Sequence, residues 1–199
     1  MRPVIKAIII GFIFVPVLPF GLAARLAHRL LGSALLFDTF AQAVSLVPGK
    51  LGSYTRACYY KQTLRKTYLD IDLAFGTIVT KIESSIGHRV YIGLYCSVGY
   101  CDIGDDVVIA NNISILSGSA QHNFENPDRP IFDDSDSFTM MRIGHDTFVG
   151  DQSVIMADVG HHTIIGAGTI VTKPLPDYVV AVGNPARVLK SRREQSETD

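Results

Sequence analysis

The residue whose type and setting best suit acid–base chemistry is His122, which lies in a polar segment between two regular stretches of sequence. Imidazole has an unperturbed pKa of about 6.5, so near pH 7 it is largely neutral and can accept a proton from a hydroxyl group. A Ser-Gly pair, Ser117 and Gly118, precedes it. Five acidic residues follow it: Glu125, Asp128, Asp133, Asp134 and Asp136. A long excursion from a regular fold usually has a function, so this segment is the first candidate site.

Cysteine is a poor candidate for chemistry here. Cys58, Cys96 and Cys101 are an odd number and have no CxxC spacing. They indicate neither a disulfide framework nor a zinc knuckle, and we expect them to be small buried hydrophobic residues.

A six-residue repeat must position these groups. Aliphatic residues recur at Ile86, Ile92, Val98, Ile103, Ile109 and Ile115, and again at Ile143, Val149, Ile155, Val159, Ile165 and Val171. A glycine or alanine follows most of them, and a small or β-branched residue lies four places after most. The small residue permits a tight turn and the β-branched residue suits a short strand. This period predicts a parallel β-helix in which three hexapeptides form one coil. The alternative, ordinary strands with glycine turns, does not explain about twelve turns in register.

The repeat resembles that of the hexapeptide-repeat acyltransferases over residues 70–190. The most specific element is the run from Ile165 to Lys173, followed by Pro176 and by Gly183 to Val188. It is similar to the end of the sugar O-acetyltransferases of the galactoside, maltose and xenobiotic acetyltransferase group. The resemblance implies a mainly β fold, a left-handed parallel β-helix with N-terminal hydrophobic and amphipathic helices and a short C-terminal helix. It further implies a homotrimer with active sites between neighbouring subunits, and acetyl-CoA or another acyl-CoA as donor.

In that family the excursion supplies a catalytic histidine after a Ser/Thr-Gly turn, which is the place of His122. The resemblance therefore implies that His122 removes the acceptor proton as the acceptor oxygen attacks the thioester. A backbone N–H would hold the oxyanion of the tetrahedral intermediate.

The resemblance also implies contacts to CoA. Ala167 and Gly168 would let the pantetheine arm approach the backbone, Thr172 and Lys173 would meet the phosphate end, and Lys190 would supply another cation.

Two further contacts are less determined by the resemblance. Asp151 stands where related enzymes have a serine, which leaves its contact with CoA open. The adjacent pair His161 and His162 could line the acyl-CoA groove, whereas His88 and His145 follow Ile-Gly pairs at corners that normally face solvent.

A metal is not expected. The gamma-class carbonic anhydrases share this fold, but they need three converging histidines with two on one short segment. Here His88, His122 and His145 are separated by 34 and 23 residues. That spacing disfavours a zinc site.

Charge divides the chain into two parts. The net charge is −1, which argues against a nucleic acid partner. Residues 1–69 nevertheless carry nine basic side chains and one acidic side chain, a formal charge of +8, and residues 70–199 carry −9. We predict an N-terminal membrane-associated helical region over 1–69, a β-helix acyltransferase domain over 70–190 and a tail over 191–199.

The N-terminal part contains the strongest apolar run. Residues 7–24 are eighteen residues without a charge, flanked by basic residues. As a helix they would reach roughly 27 Å, at the short end of a membrane span. Pro16 and Pro19 favour a kink, so the run either spans or dips in and returns there. A cleaved signal peptide and a core helix are the alternatives.

Two further N-terminal segments also have surface character. Residues 31–47 have apolar residues near the helical period, which predicts an amphipathic helix and a membrane contact through residues 1–47. Residues 50–66 have five basic and no acidic residues, interleaved with Tyr54, Tyr59 and Tyr60. Tyrosines favour an interface, but a basic helix packed over the end of the domain is the alternative.

Together these features predict a trimeric O-acetyltransferase at the cytoplasmic face of the inner membrane, acting on a sugar or lipid-linked saccharide. A sugar N-acetyltransferase and a non-catalytic membrane-held β-helix scaffold remain as alternatives.

Overall fold

The structure is a computed structural model, and it describes residues 3–118, residue 130 and residues 138–193. Three helices come first: α1 Pro3–Leu31, α2 Leu35–Ser45 and α3 Gly49–Thr63. The strands of the first three coils are β1 Asp72–Leu73, β2 Ile78–Val79, β3 Ser85–Ile86, β4 Tyr91–Ile92, β5 Ser97–Val98, β6 Cys101–Ile103, β7 Val108–Ile109, β8 Ser114–Ile115 and β9 Met141–Ile143. The remaining strands are β10 Phe148–Val149, β11 Val154–Ile155, β12 Ile164–Ile165, β13 Ile170–Val171, β14 Val179–Val182 and β15 Arg187–Ser191.

The strands form three sheets that the chain visits in turn, which is a parallel β-helix as the repeat predicts. The seven-stranded sheet has the order β1-β4-β7-β10-β12-β14-β15, the five-stranded sheet β13-β11-β8-β5-β2, and the three-stranded sheet β3-β6-β9. Neighbouring strands are parallel except for the last pair. Single bridges from Ile143 to Val159 and from Val159 to Leu175 continue the three-stranded sheet.

The core is a stack of the repeated aliphatic side chains. Ile92, Ile109, Val149 and Ile165 pair in register along the seven-stranded sheet and are fully buried. In these two-residue strands one side chain points inward and its neighbour points outward, which is the period of two within a strand.

The corners explain the small residue after each aliphatic one. A Cβ built on Gly144 would lie 2.5 Å from the backbone nitrogen of His161 in the next coil, so a larger residue would push the coils apart. Asp146, two residues after Gly144, has a φ of +52°, and His162, two residues after Gly160, has a φ of +53°. This left-handed conformation turns the chain into the next strand.

Helix α3 packs over the first coil. This agrees with the alternative interpretation of residues 50–66, a basic helix packed over the end of the domain. Tyr59 and Tyr60 are fully buried, and Tyr54 is nearly so. Tyr60 accepts a hydrogen bond from the backbone N–H of Val79 at 2.9 Å. The prediction that these tyrosines lie at a membrane interface is therefore wrong. They are buried within the protein instead, where they cover the open apolar end of the β-helix.

Helix α1 runs through both prolines without turning back, which contradicts a return of the chain at Pro16 and Pro19. It packs against α2 and α3. By length and composition, Ile8–Leu31 is one helix that could cross a membrane. Its sides differ, because Ile13, Val17 and Ala24 are buried whereas Phe12 and Leu26 are exposed.

The prediction of a short C-terminal helix is wrong for the residues described up to 193. Residues 187–191 form β15, which pairs antiparallel with β14. This hairpin covers the edge that the last parallel strand would otherwise expose.

Candidate functional site

The two ends of the excursion, at Ser117–Gly118 and Thr139, lie side by side on the β-helix, and we call this place the root of the excursion. The chain departs after Gly118, and the backbone N–H of Thr139 donates to the carbonyl oxygen of Ser117 at 2.8 Å. A Cβ on Gly118, which has a φ of +99°, would lie 3.1 Å from the Cβ of Thr139. His122 lies between these two points, outside the residues that the structure describes. The root fixes where the excursion begins and ends, on the corner between the five-stranded and three-stranded sheets.

A cleft of about 310 Å³ opens at this root. Its walls are Gly118, Thr139, Met140, Met141, Met156, Ala157, Asp158, Thr172 and Pro174. Met156 and Thr172 follow Ile155 and Val171, which pair in register, so the same corner of successive coils forms one wall. Asp158 is held by its own hydrogen bond, since its Oδ1 accepts the backbone N–H of Arg142 at 2.8 Å. The cleft therefore combines apolar side chains with two threonine hydroxyls and a carboxylate.

The structure places the predicted CoA residues on two corners and one strand. Asp151, Ala167 and Gly168 lie together at the corner between the seven-stranded and five-stranded sheets, where Gly168 N–H donates to the carbonyl of Asp151 at 2.8 Å. All three are exposed. No side chain atom lies within 4 Å of a Cβ built on Gly168, so that surface is open to a ligand.

Asp151 already has a structural role at its corner. Its Oδ1 accepts the backbone N–H of Asn111 at 3.0 Å and the Asn111 side-chain amide at 2.9 Å. Those hydrogen bonds lower the pKa of Asp151. Its carboxylate therefore joins two coils, and its contact with CoA stays a prediction.

Thr172 and Lys173 lie at the excursion corner, both exposed, and Thr172 lines the cleft. The two-residue strand β13 separates this pair from Gly168. Lys190 lies elsewhere, on β15 opposite Val180 at the edge of the seven-stranded sheet. The structure thus brings Thr172 and Lys173 to the root of the excursion but not Lys190.

Three other histidines, His145, His161 and His162, cluster away from the root, on the corner between the three-stranded and seven-stranded sheets. His145 packs against His161 and His162, with ring centroids 4.4 and 4.6 Å apart. His162 stacks on Tyr178 and its Nδ1 lies 2.6 Å from Asp146. His161 lines a separate cleft over the three-stranded sheet, not the cleft at the root. Within the described ranges, no group of three or more potential ligands could hold a metal ion.

The cysteines are buried, as predicted. Burial raises the pKa of the Cys58 thiol to about 11, and it raises the pKa of Cys101 as well. A thiolate nucleophile is therefore not available at these positions near neutral pH.

Sequence reasoning missed Met140 and Met156 as cleft residues. The repeat contains the signal for Met156, because aligning Ile155 with Val171 aligns it with Thr172. Met140 carries no such signal, because it lies in the chain returning from the excursion. The Sδ of Met140 lies 3.9 Å from the guanidinium of Arg65. Arg65 also lines a second, basic cleft beside α1.

Comparison with known families agrees with this architecture. A family model described as the hexapeptide repeat of succinyl-transferase matches residues 84–117 and 141–173, the coils on either side of the excursion. The resemblance that the sequence motifs indicated is thus supported over these two stretches of repeat, and the solved structures support the fold.

Three relatives illustrate the likeness. The "Probable acetyltransferase Rv3034c" of Mycobacterium tuberculosis is 32% identical over 110 residues, which cover 54% of this chain but only 35% of that protein. A maltose O-acetyltransferase from Clostridium difficile 630 has a TM-score of 0.66 at 22% identity, covering 78% of this chain and 84% of that one. A galactoside acetyltransferase in complex with coenzyme A also has a TM-score of 0.66 at 21% identity, covering 81% and 82%. The two structural likenesses are likenesses of fold.

Proposed function

We propose that this protein transfers an acetyl group from acetyl-CoA to a hydroxyl of a sugar or polysaccharide precursor, with His122 as general base. The carrying observation is the root at Ser117 and Thr139, which starts and ends the histidine-bearing excursion on a cleft lined by Thr172. The repeat family and the named relatives support the reaction class.

The chemistry requires one proton transfer at each stage. His122 takes the proton of the acceptor hydroxyl while that oxygen forms a bond to the thioester carbonyl carbon. The tetrahedral intermediate then collapses, the carbon–sulfur bond breaks, and His122 returns the proton to the leaving thiol. Backbone N–H groups would stabilise the oxyanion.

The pantetheine arm would follow the exposed corner at Ala167 and Gly168, and Thr172 and Lys173 would meet its phosphate end. The open surface over Gly168 supports this path. Lys190 would act from the neighbouring sheet edge, and Asp151 would reach only polar, uncharged parts of the arm because its carboxylate repels phosphate. We also infer a left-handed coil, as in the family that the repeat resembles.

Trimer formation is part of the proposal. The outward residues of the seven-stranded sheet form a column in register, Tyr91, Val108, Phe148, Ile164 and Val180. Tyr91, Val108 and Phe148 are about 40% exposed in the single chain. A contiguous exposed apolar stripe is typical of a surface that a second subunit covers.

Membrane association would use α1 lying in the plane of one leaflet. One side of α1 is fixed to α3, where the Arg25 guanidinium donates to the carbonyl of Gln62 at 3.3 Å. The other side exposes Phe12, Val15 and Leu26. The packing of α1 against α3 and the apolar side that it leaves exposed support a helix that lies at the interface. We infer attachment to the cytoplasmic face of the inner membrane, next to a lipid-linked saccharide.

The experiment is to mix the purified full chain with acetyl-CoA and a panel of sugars and amino sugars, and to follow release of free thiol. We expect thiol release that depends on a sugar hydroxyl. Release only with amino sugars would replace O-acetylation by N-acetylation. Failure of the chain to bind acetyl-CoA at all would favour the non-catalytic scaffold.

A further inference from the structure

A second cleft, of about 450 Å³, lies between the C-terminal half of α1, the end of α3 and the first coil. Its charged lining is unusual, because Arg25, Arg29 and Arg65 face a single carboxylate, Glu83. The cleft at the excursion root uses none of these four residues. It is therefore a separate site with an excess of positive charge.

The partners of these arginines leave capacity for an anion. Arg25 donates to a backbone carbonyl, that of Gln62, and so keeps its full charge. Among the residues that the structure describes, Arg29 has no hydrogen-bond or ion-pair partner. Arg65 donates to Ser85 Oγ at 3.0 Å and lies 3.5 Å from Asp102. Two guanidinium groups on one turn of α1 are thus available for bidentate contacts, which suit phosphate oxygens.

The same cleft contains an unsatisfied buried group. The Nδ1 of His28 is buried without a hydrogen-bond partner among the described residues, while its Nε2 lies 3.3 Å from Glu83 Oε1. A buried polar atom of this kind is usually paired in the functional state.

The cleft continues into the exposed apolar side of α1. Leu22 and Leu26 line it and are each more than half exposed. Leu30 and Leu31 extend the apolar surface beyond it. A ligand that fills the cleft thus meets arginines at one end and a hydrocarbon-like surface at the other.

We propose that this cleft binds the phosphate headgroup of an anionic phospholipid in the leaflet on which α1 lies. The inference rests on the membrane contact proposed above, and adds to it a site that selects headgroup charge. Arg25 and Arg29 hold the phosphate, and the acyl chains lie along Leu22 and Leu26.

The test is sedimentation of the full-length protein with vesicles of phosphatidylcholine alone or mixed with phosphatidylglycerol. We expect tighter binding to the mixed vesicles, and about a thirtyfold loss of that affinity for Arg25→Gln with Arg29→Gln, at roughly fivefold per arginine. Arg29→Gln alone, at a side chain with no hydrogen-bond or ion-pair partner among the described residues, should lose about fivefold without disturbing α1.

Matched controls separate a site from diffuse attraction. Arg89→Gln with Arg187→Gln removes the same charge from exposed positions on the β-helix and should leave binding unchanged. An equal loss in this control would overturn the proposal. So would stabilisation of the chain against heat by inorganic phosphate that depends on Arg25 and Arg29, because the occupant would then be a free phosphate.

The two proposals fail in different ways. If the protein binds neither kind of vesicle, both the membrane contact and the headgroup site are overturned. Equal binding to both vesicles, unaffected by the arginine substitutions, would overturn the headgroup site alone and keep the membrane contact.

Discussion

Arg56 links the helices to the β-helix through its buried guanidinium. Its Nε donates to the carbonyl of Leu73 at 2.9 Å, and its Nη1 lies 2.9 to 3.1 Å from the carbonyl oxygens of Val44, Ser45 and Val47. These last carbonyls are at the end of α2, the negative end of the helix dipole. Burial lowers the pKa of Arg56, against the opposing influence of Tyr60 and Asp72. One side chain thus fixes α2 and the first coil together.

We predict that Arg56→Lys destabilises the protein by about 3 kcal/mol, because an ammonium group cannot reach carbonyls on both sides and leaves some unpaired. The measurement is the free energy of unfolding from urea denaturation. Arg89→Lys, at an exposed pair with Asp106, is the control and should change it far less. A similar effect of both substitutions would show that Arg56 does not have this linking role.

Asp72 gives the same junction a pH dependence. Burial alone would raise its pKa, but hydrogen bonds from Lys50 and Ser53 outweigh burial and lower the pKa overall. A carboxyl with a lowered pKa in the folded state contributes stability above its ordinary pKa of about 3.9, and this contribution is lost as the pH falls through the folded value.

We therefore expect Asp72→Asn to lower the urea midpoint near pH 6, with the difference from wild type shrinking below about pH 4. Lys50→Met should reproduce part of that pH dependence, because it removes the largest favourable partner. A difference that stays constant across the same pH range would contradict the assignment.

At the scale of elements, α1 depends on one close approach to α3. A Cβ built on Gly21 would lie 2.7 Å from Gln62 Oε1 and 2.8 Å from Gln62 Cβ. Gly11, in the same helix, has nothing within 4 Å of that position. The two glycines are thus a matched pair that separates helix propensity from packing.

Gly21→Ala should destabilise the docked helix by about 1 to 3 kcal/mol, because overpacking outweighs the gain in propensity. Gly11→Ala should be neutral or stabilising by up to about 1 kcal/mol. Thermal unfolding together with hydrogen exchange in α1 measures both. Equal behaviour of the two variants would mean that α1 is not held against α3.

The repeat could be predicted from sequence because each of its requirements falls on a fixed position: an inward aliphatic such as Ile109, then a small residue, then a β-branched one. The burial of Tyr59 and Tyr60 could not, because a tyrosine suits both an interface and the cover of an open β-helix end. The strand at Arg187–Ser191 depends on the free edge of β14, which a local pattern does not reveal. At the candidate site, Thr172 was predicted from the sequence as a CoA contact and lines the cleft, and its contact with CoA stays a prediction. The place of Met140 could not be predicted, because it depends on the return of the excursion.

At the scale of the whole molecule, the column Tyr91, Val108 and Phe148 should be covered by a second subunit. We predict that Phe148→Asp converts the proposed trimer to a monomer, because it would place a charge within a dry interface. Ser97→Asp, on the outward side of the five-stranded sheet, is the control and should leave the trimer intact. Light scattering gives the mass of each. A trimer that survives Phe148→Asp would remove this stripe from the interface.

The most direct test of the central claim is the turnover of acetyl-CoA by His122→Ala in the purified assembly, with His88→Ala as the control histidine. If His122 is the general base, turnover with a sugar acceptor should fall by about 10² to 10⁴-fold while acetyl-CoA binding stays unchanged. His88→Ala should retain the wild-type rate. Unchanged turnover in His122→Ala would contradict the proposed catalytic role.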